Sequence, residues 1–180
     1  MIGGSATATQ ALREEHAVIL RALVLLEVAA ARLDAGPPAA DSWWTELIEW
    51  LRSFADQHHH GKEELCLFPA LTQAGVPAAG GPVGVMVAEH AEGRALLRAI
   101  TESRGEERAE AARAYVRLLR DHIDKENGVL FPLADAILDS QDQQQLARAL
   151  DKVRAVHGLV ASRERAEAEI DRLAAALESG

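Results

Sequence analysis

The sequence predicts an all-α protein, and three features of the 180-residue chain carry that reading. Apolar side chains recur every three or four residues over long stretches, the period of one helix face. No stretch shows the period-two alternation of a half-buried strand. Aromatic residues make up only 4% while alanine, leucine and arginine are abundant, which favours helices over a sandwich or barrel.

Turn residues divide the chain into helical blocks. Ala35-Gly36-Pro37-Pro38 ends the first, the Gly/Pro-rich stretch from Gln73 to Gly84 ends the second, and Ser103-Arg104-Gly105 ends the third. The fourth runs from about Glu106 and meets Phe131-Pro132. After Asp139 the chain restarts at Ser140-Gln141-Asp142-Gln143, which reads as a capping box, and stays helical in pattern to about Leu177. Residues 1–135 are expected to form the main helical unit and 136–180 a helical extension, packed on it or on a second subunit.

Composition excludes several classes. With 48% hydrophobic and 26% charged residues the chain can build a core, so disorder is excluded. A formal charge of −9 argues against binding nucleic acid or an anionic membrane. The most apolar run, Val18 to Leu33, is interrupted by Arg21, Glu27 and Arg32, so no membrane span is expected. The first residues, Met1 to Ala6, lack the basic and apolar regions of a signal peptide, and a cytoplasmic setting is expected. A single cysteine, Cys66, excludes a disulfide framework and a zinc site built from several thiolates.

Seven histidines are the unusual count, and their placement is informative. The first block has the seam Leu12, His16, Ile19, Leu23, Leu26, Ala30 and Leu33, with His16 where an apolar residue belongs. The third reads Val83, Met86, His90, Gly93 and Leu97. The fourth reads Tyr115, Leu118, His122, Glu126 and Val129. The second places Trp44, Ile48, Leu51, Ala55, His59 and Glu63 along one face. Two blocks share a pattern, His59-x-x-x-Glu63-x-x-x-x-Phe68-Pro69 and His122-x-x-x-Glu126-x-x-x-x-Phe131-Pro132. The other two carry Glu15-His16 and Glu89-His90.

A lone histidine on an apolar face usually only packs, but two matching copies with a seam histidine on each remaining helix are a different matter. Residues four apart lie on one helix face and can grip one ion or bridge two. Two buried carboxylates without cationic partners would be costly, and metal ions remove that cost. Four imidazoles and two carboxylates form a nitrogen/oxygen donor set without thiolate, suited to iron or manganese and less diagnostic of zinc. Six protein ligands for two ions leave open positions.

The segment His58-His59-His60-Gly61-Lys62-Glu63-Glu64-Leu65, with His16, Phe68-Pro69, Glu89-His90, His122-Ile123-Asp124-Lys125-Glu126 and Phe131-Pro132, resembles the hemerythrin-like (HHE cation-binding) family over about residues 8 to 135. The resemblance implies an antiparallel up-down-up-down four-helix bundle. Around its centre it implies two iron ions (Fe2+/Fe3+) with an oxo or hydroxo bridge, held by His16, His59, Glu63, His90, His122 and Glu126. Hemerythrins proper carry a further histidine four residues before the His90 equivalent, where this chain has Met86. The fourth-helix acid also follows its histidine by four residues, not five. The pattern is closer to bacterial hemerythrin-like proteins and to di-iron proteins linked to repair of iron centres.

Several assignments stay open in the sequence. His60 with Glu64 also makes a spacing-four pair, so spacing does not choose within His58-His59-His60. Aligning the two Phe-Pro pairs selects His59 and Glu63, which leaves His58 and His60 as supporting or solvent-facing groups and Glu64 as a surface or supporting acid. His157, in the seam Leu146, Leu150, Val153, His157 and Val160, reads as a packing residue, with a lid or sensor role as the alternative. Cys66 reads as an inert buried thiol rather than a redox partner. Tyr115 reads as packing with a satisfied hydroxyl, with a supporting or redox role below the metals as the alternative, and Trp43, Trp44 and Trp50 as core and interface bulk.

Two functions fit. The first is a non-haem di-iron protein that binds a small oxidant or diatomic (oxygen, hydrogen peroxide or nitric oxide), with catalase-like or nitric-oxide-related turnover and a role in oxidative or nitrosative stress. The second is an oxygen- or iron-sensing, or iron-handling, module without turnover. The expected partner is a small molecule, and the expected state a monomer or a homodimer through the C-terminal helices.

Overall fold

A computed structural model describes residues 7–156 and 162–179. His157 and Val160 lie outside the described residues. Among the described residues six helices follow one another: α1 (Ala8–Ala35), α2 (residues 41–73), α3 (Pro82–Glu102), α4 (residues 105–137), α5 (Ser140–Val156) and α6 (Arg163–Ser179). There is no strand among the described residues.

The helices alternate in direction, and the packing shows it. One apolar cluster joins Ala8 and Leu12 at the start of α1, Leu67 and Leu71 late in α2, Val83 and Met86 at the start of α3, and Leu130 and Phe131 late in α4. A second joins the opposite ends, including Leu23 and Leu26, Trp44 and Leu51, Leu97 and Ile100, and Val116 and Leu119. Helix α5 adds Leu146 and Leu150 to the first cluster, and α6 adds Ile170, Leu173 and Leu177 to the second. The C-terminal helices therefore pack on the bundle itself. Trp43 and Trp50 fix α6 by donating their indole N–H groups to the carbonyls of Leu173 (2.9 Å) and Ala166 (3.2 Å). Between the two apolar clusters lies a polar layer of histidines and glutamates.

Helices α2 and α4 are not regular. Within α2, Leu51–His60 and Glu63–Leu67 are π-helical, and within α4, Glu126–Leu130 is. The π turns of Glu63–Leu67 and Glu126–Leu130 directly precede Phe68-Pro69 and Phe131-Pro132. Proline lacks an N–H and collides with the carbonyl four residues back, and a widened turn accommodates both. The fourth helix thus continues through Phe131-Pro132 to Ile137. The inserted width also corrects the predicted seam: Val129 is 58% exposed, and Leu130 takes its inward place.

Two helix ends are closed by local chemistry. Gly75, at φ 101°, terminates α2, with Val76 N–H bonded to Leu71 O and Gly75 N–H to Thr72 O. That is a Schellman closure, in which glycine takes the left-handed conformation without Cβ strain. At the start of α5 the cap is Asp139, one residue before the predicted Ser140. Its Oδ1 accepts from the N–H groups of Gln141 and Asp142 (2.8 and 2.9 Å). Gln143, freed from a capping box, accepts the Ala8 N–H (3.0 Å) and ties α5 to α1.

Candidate metal centre

Four histidines in the polar layer are held in the same way. His16 donates Nδ1–H to Asn127 Oδ1 (3.0 Å), His59 to Glu15 Oε2 (2.9 Å), His90 to Glu64 Oε1 (2.8 Å) and His122 to Glu89 Oε2 (2.9 Å). The oxygen opposite each Nδ1 assigns the proton there, so each Nε2 turns a lone pair inward. The Nε2 atoms of His90 and His122 lie only 3.2 Å apart. Two lone pairs this close repel unless a cation lies beside them.

Glu63 and Glu126 complete the layer from α2 and α4, and both are fully buried. Glu63 Oε1 is 3.4 Å from His59 Nε2 and its Oε2 is 3.5 Å from His90 Nε2. Glu126 Oε2 is 3.1 Å from His16 Nε2 and 3.3 Å from His122 Nε2. Each carboxylate thus spans both halves of the bundle. Neither pairs with a lysine or arginine among the described residues. Both oxygens of Glu63, Oε1 of Glu126 and Nε2 of His59 are buried without a hydrogen-bond partner. Burial, with Glu126 alongside, pushes the Glu63 carboxyl well above its ordinary range, and burial does the same to Glu126.

Burial also lowers His16 to about 4 and His59 and His122 to about 3, so these imidazoles are neutral at pH 7, as metal ligands must be. Burial opposes the charged form of His90, but the Glu63 and Glu64 carboxylates beside it outweigh burial and raise its pKa. Orphaned buried oxygens and convergent imidazole lone pairs fit a pair of divalent ions, which would neutralise the carboxylates and occupy the lone pairs.

The donor atoms fall into two overlapping groups: His16, His59, Glu63 and Glu126, and His60, Glu63, His90 and His122. The structure brings together all six residues selected from the sequence, and His60 with them. A solvent-facing place for His58 and His60 is not what the structure has. Both are buried at 4% exposure, because the π-helical run ending at His60 allows neighbouring histidines to face the bundle interior. His58 donates Nε2–H to Glu15 Oε1 (3.2 Å) and supports the layer from outside.

The hydrogen bonds around the layer repeat between the two hairpins. Glu15 holds His59 and pairs with Lys62, and Glu89 holds His122 and pairs with Lys125. Asn127, next to Glu126, holds His16, and Glu64, next to Glu63, holds His90 while accepting from Arg94 (2.8 Å). Phe131 stacks on His16 (5.3 Å) and Phe68 on His90 (5.7 Å), so each Phe-Pro phenyl covers a histidine from the other helical hairpin. The roles of Glu15, Glu89 and Asn127 were missed in the sequence. The Glu-His pairs and the lysines before Glu63 and Glu126 were the available signal.

A family model, the Hemerythrin HHE cation binding domain, matches residues 7–134. The chain belongs to the hemerythrin HHE cation-binding family. It is 32% identical over 133 residues to the Escherichia coli iron-sulfur cluster repair protein YtfE, covering 67% of this chain and 60% of that protein. Shigella boydii YtfE matches to the same extent. A Mycobacterium tuberculosis protein of uncharacterized role, Rv1995, is 26% identical over 155 residues, covering 81% of this chain and 60% of that protein. The chain therefore spans about 60% of the length of these curated relatives. No solved structure gives a significant match.

The remaining residues singled out in this HHE chain fall outside the centre. Cys66 is partly buried, and burial raises its thiol pKa, away from thiolate reactivity. The expectation of a satisfied Tyr115 hydroxyl is corrected: the group is fully buried without a hydrogen-bond partner, and burial pushes its pKa up. Trp43, Trp44 and Trp50 are core, as read. No helix among the described residues is long and apolar enough to cross a membrane.

Proposed function

We propose that the chain is a non-haem di-iron protein that binds a small oxidant or diatomic, namely oxygen, hydrogen peroxide or nitric oxide. One observation carries the reading: two four-residue donor groups share Glu63, and the bridging carboxylates keep buried oxygens without partners. His16, His59, Glu63, His90, His122 and Glu126 are the proposed ligands. The thiolate-free donor set supports iron over softer-site metals. The iron-sulfur repair name of the YtfE relatives supports iron chemistry and a stress role.

When bound, the two ions would supply redox-active centres with coordination positions free for a small molecule. The chain's own residues prepare the place. Glu63 and Glu126 hold both halves together and supply negative charge. Glu15, Asn127, Glu64 and Glu89 fix each ring's orientation through Nδ1, which also raises the donor strength of Nε2. Phe68 and Phe131 cover two of the imidazoles and keep bulk water from them. A cavity of about 310 Å³ between α1, α2 and the C-terminal helices is lined by Glu15, His58 and Lys62, and Glu15 is the residue that holds His59.

The test is metal analysis of protein reconstituted with ferrous iron, followed by absorption spectra with azide, peroxide and nitric oxide. Two irons per chain and new charge-transfer bands are expected. One iron, or spectra blind to all three ligands, would overturn the proposal. Sensing without turnover would give the bands and no peroxide consumption.

A further inference from the structure

The two helical hairpins match at the main positions around the centre. His59, Lys62, Glu63 and Phe68 of α2 correspond to His122, Lys125, Glu126 and Phe131 of α4. By the same register His60 corresponds to Ile123, which lies in the apolar core at 2% exposure. Position 60 therefore has an imidazole where the repeat has a hydrocarbon.

That imidazole is not placed for packing alone. Its ring lies parallel to His90 with centroids 3.9 Å apart, and edge-on to His122 at 5.4 Å. One of its nitrogens lies within 4.8 Å of the donor atoms of Glu63, His90 and His122. Its Nδ1 is buried without a hydrogen-bond partner and faces Asp56 Oδ1 at 3.6 Å, an oxygen that Arg94 Nε holds at 2.7 Å. His16, His59, His90 and His122 likewise turn Nδ1 toward an oxygen, and His60 repeats that part of their orientation. The π-helical run Leu51–His60 has no counterpart in α4, which is α-helical from Gly105 to Lys125.

We infer that His60 is a seventh protein ligand, making the two metal positions unequal: three imidazoles (His60, His90, His122) at one and two (His16, His59) at the other. Met86 occupies the inward position one turn before His90, so the additional imidazole reaches the centre from α2 instead of α3. The inference rests on the dinuclear reading above.

The experiment loads the full chain with cobalt(II) and counts the paramagnetically shifted, solvent-exchangeable imidazole N–H resonances. Five are expected with His60 as a ligand, and four would overturn the inference without touching the dinuclear reading. Chelator competition on His60→Ala and His60→Phe supplies the second measurement; the phenyl keeps the stacking on His90 and lacks the nitrogen. Both variants should keep one tight ion and bind the second at least about 10-fold more weakly. Two ions held with wild-type affinity in either folded variant would refute the ligand role. Uptake of a single cobalt by the wild-type chain would overturn both this inference and the dinuclear proposal.

Discussion

Glu15 and His59 sit on neighbouring helices, and Glu15 Oε2 accepts the Nδ1 proton of His59 at 2.9 Å. Glu89 and His122 reproduce the contact at the same distance. The two contacts differ in their surroundings. Glu15 and its partner Lys62 are both buried, whereas Lys125 beside Glu89 is 45% exposed in its side chain.

Removing either acid should loosen the histidine it holds. Glu15→Ala and Glu89→Ala are each expected to weaken metal binding by about 10–100-fold. Only Glu15→Ala should also cost much stability, because it leaves the Lys62 charge buried and unpaired, an effect of about 3–5 kcal/mol. Chelator competition and urea denaturation of the two variants check the contrast. Equal stability losses would refute it.

The metal-free protein should show a pH dependence with opposing contributions. Glu63 and Glu126 have folded pKa values raised above 4.5, so the stability they contribute is fully present below that pH and lost as pH rises through the folded values. His16, His59 and His122 are depressed from 6.5 to about 4, 3 and 3, so stability falls as pH drops from 6.5 toward those values. Above 6.5 these three histidines are neutral in both states, and the slope left from the ligands comes from the two carboxylates and from His90, all raised, and is negative. Glu63→Gln should flatten it. Denaturation midpoints between pH 6.5 and 9 read the sign, and a slope unchanged in the variant would contradict the assignment.

Helix α6 should stabilise the bundle through Leu173, which is 1% exposed and whose carbonyl receives the Trp43 indole. Leu173→Ala is expected to cost about 2–5 kcal/mol. Thermal melts followed by tryptophan fluorescence would report it, since Trp43 and Trp50 both bond to α6. A variant as stable as wild type would mean that α6 contributes little.

Much of the centre was readable from spacing. His16, His59, Glu63, His90, His122 and Glu126 each sit on a helical seam, and matching Phe-Pro pairs align the two hairpins. The structure explains why those pairs are there. Each phenyl stacks on a histidine of the opposite hairpin, and each proline follows a widened turn. The same turns are where the reading slipped. A seam drawn at 3.6 residues per turn puts Val129 inside and His60 in a supporting or solvent-facing place. A π turn gains a residue, so Leu130 moves in and His60 faces the donor groups. Asp139 displaced Ser140 as a cap for a simpler reason, since both are good capping residues and the backbone chose between adjacent positions.

By itself, the sequence determined the helices, their order and the identity of six inward polar residues, because periodicity and residue chemistry are local and survive without coordinates. The tertiary structure alone decided which oxygen holds each Nδ1, that Glu63 and Glu126 span both halves of the layer, and that His60 joins it. Those are contacts between helices, fixed by where π turns fall and by which hairpin faces which, and no spacing along one helix encodes them.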